Sequence, residues 1–346
     1  MRPRIIDIKA AGKRGINKHE GGMAMRKAML AAAVFAVGLA NGAYATSTNY
    51  EYEGKWGSHG SGDGEFDRSE GICRAPSGNV YVADMNNNRI QYFTATGSFL
   101  GKWGTKGTGQ GQFMGPEDIG INSGGTVYVI DYGNDRVQYF TAAGGYQGGW
   151  GGYGSGQGQF KSPYGIAVAS NGNVYVADEG NNRIQYFTSS GSFLGMWGSS
   201  GSGEGQFNQP RGIAVAPDGV VYVSESNGRR VQYFTASGSF LGKFTPEPSV
   251  YCDDVEVAAD YRVYVACLFV PDEYIKIFTS TGSELGKAGK YGTGEGEFTA
   301  LTGVTVDPNT SRVYASDYDR DRIQYFKFTN PEVEPASLGR VKALYR

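Results

Sequence analysis

From about residue 50 to residue 328 the chain alternates short apolar runs with turn residues. In one unit, GIAV (165–168) alternates small and apolar side chains, and Asn171-Gly172 supplies a tight turn. NVYVAD (173–178) alternates again, RIQYF (183–187) makes a third run and GSFLGMW (191–197) a fourth. Alternation at a period of two is the signature of a half-buried strand, and no stretch shows the 3.6-residue spacing of a crossover helix. Four strands joined by turns predict one four-stranded antiparallel sheet per unit.

The unit recurs. Trp56, Trp103, Trp150 and Trp197 stand 47 positions apart, as do Phe66, Phe113, Phe160 and Phe207, and Phe298 follows after one full and one shortened unit. A fixed period of this size marks a propeller or a solenoid. The first strand starts six times, at Gly71, Asp118, Gly165, Gly212, Asp254 and Gly303. The last unit stops after its third strand, while an orphan fourth-strand sequence at 52–57 precedes the first unit. An incomplete end and an orphan strand complement each other if the chain closes into a ring, which removes exposed sheet edges. The predicted fold is all-β: a six-bladed β-propeller of four-stranded antiparallel blades over 46–328, with residues 52–57 pairing beside 322–328 to complete the last blade.

Composition fits this reading. Gly 55, Tyr 24 and Phe 18 among 346 residues describe a turn-rich, aromatic-rich β chain. Lys+Arg 32 and Asp+Glu 34 nearly balance, but the first 45 positions hold eight basic and two acidic residues, which leaves the remainder acidic. From Met23 a short basic start, an apolar run and Ala43-Tyr44-Ala45 have the layout of a secretory signal peptide. Residues 1–45 are therefore expected to be a leader: a patternless stretch ahead of the true start, then the signal. Export to the periplasm, the cell surface or the medium follows, with no membrane span after processing. Residues 329–346 are expected to be a linker and a short basic tail.

The motif seen as PYGIAV (163–168), NVYVAD (173–178) and NRIQYF (182–187) resembles the NHL repeat, and the resemblance covers about residues 50 to 328. It implies the propeller fold. For function it implies several alternatives, because NHL-like propellers include sensor and scaffold domains, RNA-binding domains and an amidating lyase. Of His 2, only His59 lies outside the leader, so the histidines that the lyase branch uses for zinc are missing. RNA binding is disfavoured by export and by the acidic remainder. The expectation is a monomeric, non-enzymatic module binding a protein, peptide or glycan. The alternative is a calcium-dependent hydrolase or lyase with its site in the channel.

Candidate residues follow the repeat. Acidic residues ending the second strand recur with arginines starting the third: Asp84 with Arg89, Asp131 with Arg136, Asp178 with Arg183, Glu225 with Arg230, and Asp317 with Arg322. In the fifth unit both change together, to Cys267 and Tyr274, so bidentate ion pairs bracing a loop are expected. The tryptophans are expected to be filler between blades, with carbohydrate stacking as the sharper alternative. The glycine-rich stretches lack the ending and the helix of a phosphate loop and are expected to be interblade connections. Residues just before the first-strand glycine read Glu70, Glu117, Tyr164, Arg211, Asp253 and Thr302, and Asp118 and Asp254 replace the glycine itself. Carboxylates at one channel mouth suit a hard cation such as Ca²⁺ or a cationic ligand. The bland reading is a solvated acidic rim partly paired with Arg211. Cys252 and Cys267 fall at adjacent ends of one hairpin, and in an exported protein a disulfide between them is expected. Cys73 reads as a buried free thiol.

Overall fold

A computed structural model describes residues 48–268 and 273–329. The leader and the C-terminal tail lie outside the described residues. Among the described residues no helix is long and apolar enough to cross a membrane.

Six four-stranded antiparallel blades are present. The first is Ser69–Arg74, Val80–Asp84, Arg89–Phe93 and Phe99–Trp103. The third is Pro163–Val168, Val174–Asp178, Arg183–Phe187 and Phe193–Trp197, the strands read from the repeat to within a residue or two. In the sixth, Leu301–Val306, Val313–Asp317 and Arg322–Thr329 are completed by Thr48–Trp56. That closing strand pairs antiparallel with the last strand, setting Tyr52 opposite Phe326 and Trp56 opposite Ile323. Its first residues also bridge in parallel to the outer strand of the fifth blade, Thr48 to Gly286 and Asn49 to Lys287.

The blades are held to one another by what the repeat keeps constant. The indole of Trp150 packs against Phe187 of the next blade at 5.5 Å and edge-on to Tyr128 of its own. Gly191 of the following turn lies on that indole, where a Cβ would meet it at 2.6 Å. The tryptophans are therefore interblade filler. In the fifth blade the second-strand tyrosine, Tyr264, meets the hydroxyl of Tyr50, but in the other five it donates its hydroxyl across the seam to a turn carbonyl: Tyr81 to Ala142, Tyr128 to Ser189, Tyr175 to Ala236 and Tyr222 to Ser280. Tyr314 to Ala95 closes the circle.

The acid–arginine pairs form in five blades, with Nε-to-carboxylate distances of 2.6 to 2.8 Å. Only Arg230 makes the bidentate contact expected, with Nε and one Nη on the two oxygens of Glu225; the other four arginines use Nε alone. Arg183 spends only Nε on Asp178, and its two Nη groups donate to the carbonyls of Ser155, Gly156 and Gln159. Gln185 then clasps the same loop, donating to the Gln159 carbonyl and accepting the Gly158 N–H. The glycine-rich stretches are thus interblade connections whose backbone groups are consumed by the scaffold. In the fifth blade Lys276, at the glutamine position, takes over: it donates to the Pro246 carbonyl and pairs with Glu247 and Glu284, while Tyr274 donates to Glu247 at 2.6 Å.

Cys252 and Cys267 stand opposite each other in the fifth-blade hairpin, but both are free thiols rather than the expected disulfide. The Cys267 thiol points to the Val265 carbonyl at 3.6 Å, and both side chains fill the apolar core between the fourth and fifth blades with Val231, Val255 and Phe278. They act there as small hydrophobic residues.

Candidate functional site

Every first strand carries a bulge at the position preceding or occupied by its glycine; in the third blade the register shifts between Pro163 and Ile166. A bulge re-aims side chains, and here the pre-glycine residues converge at the channel mouth. Arg211 is the hub. Its guanidinium stacks on the Tyr164 ring at 4.5 Å, donates to Glu179 at 3.3 Å and forms an ion pair with Asp253. Tyr164 in turn hydrogen-bonds Asp253 at 3.3 Å. Glu179, which begins the turn after Asp178, joins this network without having been legible, because its counterparts Met85, Tyr132, Ser226 and Tyr318 carry no charge.

The mouth is not a solvated rim. Glu70, Glu117 and Asp253 are only 6%, 4% and 3% exposed. Burial, reinforced by Glu117 and Asp253, raises the Glu70 carboxyl well above the usual range. Glu117 is pushed up to about 8, again chiefly by desolvation. Burial also acts against the Arg211 cation, but Asp253, Tyr164 and Glu179 outweigh it and hold the charge. One oxygen of Glu117, Oε2, has no hydrogen-bond partner among the described residues. It borders a void of about 10 Å³ lined by Glu70, Glu117, Asp118, Tyr164, Asp254 and Thr302.

Asp118 and Asp254 lie one step deeper than the mouth, at a waist. Where the other blades have glycine, the neighbouring strand occupies the space a Cβ would need: at Gly71 the Asp118 Cα lies 2.6 Å away, and at Gly303 the Glu70 carbonyl oxygen lies 2.8 Å away. The two aspartates use their oxygens as latches. Asp118 accepts the N–H of Ile119 and that of Ile166 in the next blade; Asp254 accepts those of Val255 and of Val304. Below the waist a cavity of about 160 Å³ is bordered by Asp118, Asp254, Glu256, Cys73 and Thr305. The channel leaves these side chains partly accessible, yet protein surrounds them. That desolvation raises Asp118 to about 7 and Glu256 to about 8, the latter with help from the Asp118 charge. Cys73 is a free, half-buried thiol on this wall, raised by burial and by Glu256.

Comparison with known proteins places this architecture. A family model for the NHL repeat matches residues 66–93, 160–187 and 207–234. Protein lin-41 of Caenorhabditis elegans is 51% identical over 45 residues, which is 13% of this chain and 4% of that protein; the chain thus spans a small fraction of its curated relative. Among solved structures, a streptogramin B lyase superposes with a TM-score of 0.56 at 15% identity, over 81% of this chain and 98% of that one. A selenomethionine-substituted virginiamycin B lyase from Staphylococcus aureus gives 0.58 at 14%, over 81% and 100%. A gluconolactonase from Xanthomonas campestris gives 0.58 at 13%, over 82% and 98%. At such identities the likeness is one of fold. The chain is a six-bladed β-propeller in which NHL repeats are detected at three of the blades.

Proposed function

We propose that this propeller is a binding module that docks a protein or peptide on its interblade-loop face and receives a positively charged group of that ligand at the channel mouth. The observation that carries the reading is the blade-by-blade divergence of buried mouth residues. The scaffold positions repeat almost unchanged, and so do the turns of the opposite face: TATGS (94–98), TSSGS (188–192) and TASGS (235–239). The loop face varies instead. One position reads His59, Lys106, Tyr153, Ser200 and Tyr291, with Tyr153 72% exposed. Drift accounts for differences at exposed sites, but not for the buried carboxyls of Glu70, Glu117 and Asp253 or the half-buried Arg211 among them, ionisable groups whose desolvation costs stability. Residues that weaken the fold and break its symmetry suit an asymmetric ligand. The tryptophans are half-buried, with their rings packed against Phe and Tyr side chains of the seams, so they offer no open stacking platform, which favours a peptide over a glycan.

The reading is tested by selecting a random peptide display library against the immobilised protein. Enrichment of peptides with a basic residue, lost with Glu117→Gln and weakened about tenfold or more with Tyr153→Ala, supports it. Absence of enrichment, or enrichment indifferent to both substitutions, contradicts it.

A channel cation is the second reading, favoured by the unpartnered Glu117 Oε2 and the void of single-ion size beside it. Glu70, Glu117 and Thr302 would supply oxygens there. Calorimetric titration with Ca²⁺, with Glu117→Gln as control, decides it, and turnover on a lactone panel tests the enzymatic extension. Against lyase chemistry, a catalytically inactive relative of the virginiamycin lyase type is a histidine-to-alanine variant, whereas His59, the one histidine among the described residues, lies outside this mouth.

A further inference from the structure

His59, Asp67 and Asp321 bring one imidazole nitrogen and two carboxylate oxygens within 4.8 Å of one another. They meet at the seam where the ring closes. His59 and Asp67 belong to the loop leaving the closing strand, and Asp321 is the left-handed residue, at φ 49°, just before the last strand.

This geometry recurs at other seams with different residues. The parallel bridge His59 to Phe66 is repeated by Lys106 to Phe113, Tyr153 to Phe160 and Ser200 to Phe207. The left-handed position is filled by Asn88, Asp135 and Asn182, each accepting a backbone N–H of the next blade, as Asp321 accepts that of Arg68 at 2.6 Å. The trios equivalent to His59, Asp67 and Asp321 are Lys106, Met114 and Asn88, then Tyr153, Lys161 and Asp135, then Ser200, Asn208 and Asn182. Of these four seams only the closing one supplies three ligand-bearing side chains.

We propose that this trio is a binding site for a divalent transition-metal ion of the zinc type, which staples the ring shut. Imidazole nitrogen with carboxylate oxygen is a donor set that such ions accept, whereas calcium and magnesium favour oxygen alone. The carboxylates are already oriented. Asp321 gives one oxygen to the Arg68 N–H and turns the other to His59 Nδ1 at 2.9 Å. Asp67 gives one oxygen to the Asn86 amide at 2.9 Å, leaving the second. Such supporting bonds fix the direction of metal ligands. Donor atoms on one tetrahedral zinc lie about 3.4 Å apart, so His59 has only to separate slightly from Asp321. Its side chain is 74% exposed, free to do so and open to water as a further ligand. The ion would tie the start of the loop to the turn beside the Trp56–Ile323 pair.

The test is calorimetric titration of the full chain with Zn²⁺, Ni²⁺ and Ca²⁺, with melting followed by scanning fluorimetry. One zinc-type ion per chain is expected, with Ca²⁺ at least tenfold weaker and a melting temperature several degrees higher in the presence of Zn²⁺. His59→Gln and Asp67→Asn should each weaken binding tenfold or more and remove the shift, without lowering the melting temperature of the metal-free protein. Asp321 is left intact because its backbone contact is structural. Absence of zinc binding at 100-fold excess, or binding that survives His59→Gln, overturns the proposal.

Discussion

Trp56 and Ile323 stand opposite each other in the pairing that joins the first described strand to the last. The same indole packs on Phe93 of the first blade at 5.7 Å and on Tyr325 of the sixth at 5.8 Å. One side chain therefore serves both as a rung of the closing sheet and as the filler of the seam beyond it, so closure and blade packing stabilise one another.

The Arg–Asp brace should be a main source of stability. Arg183→Ala would leave Asp178 fully buried without its cation and strip three loop carbonyls of a donor. A loss of about 3–5 kcal/mol is expected, read as a lower midpoint in chemical denaturation. Lys276→Ala in the fifth blade, whose partners are half exposed, should cost about 1 kcal/mol.

The channel carboxylates make stability fall as pH rises. With Asp118 held near 7 and Glu256 near 8, the folded protein binds more protons than the unfolded chain between about pH 4 and pH 8. The slope of unfolding free energy with pH is then negative across that window. The stabilisation is complete below the unfolded-state values and is lost as pH climbs to the folded ones. Glu256→Gln should flatten this profile and raise stability at pH 8 by about 1–2 kcal/mol, with little change at pH 4. Equal effects at both pH values would contradict it.

Thiol counting tests the fifth-blade core. Alkylation of unfolded, unreduced protein should add three labels, at Cys73, Cys252 and Cys267. A single label would mean that the hairpin cysteines are bonded.

Much of the fold was legible because a repeat samples each structural requirement several times. A tryptophan every 47 residues and a pair such as Asp178 and Arg183, kept or exchanged as a unit, report packing and pairing directly. The roles of Asp118 and Asp254 were hidden because they depend on the N–H groups of Ile166 and Val304, which belong to other blades. Glu179 was missed for a related reason: its partner Arg211 lies 32 positions away, across a seam that no local pattern announces. The cysteines misled because facing one another in register does not distinguish a bond from close packing. The seam trio needed the ring itself, since Asp67 and Asp321 are neighbours only once it closes.

Ring closure is tested most directly by hydrogen exchange of the amides in residues 322–329, comparing the parent with a variant lacking residues 46–56. Closure predicts that these amides exchange as slowly in the parent as those of Arg183–Phe187, and at least a hundredfold faster in the variant. Equal protection in the two proteins would show that the last strand does not depend on the first.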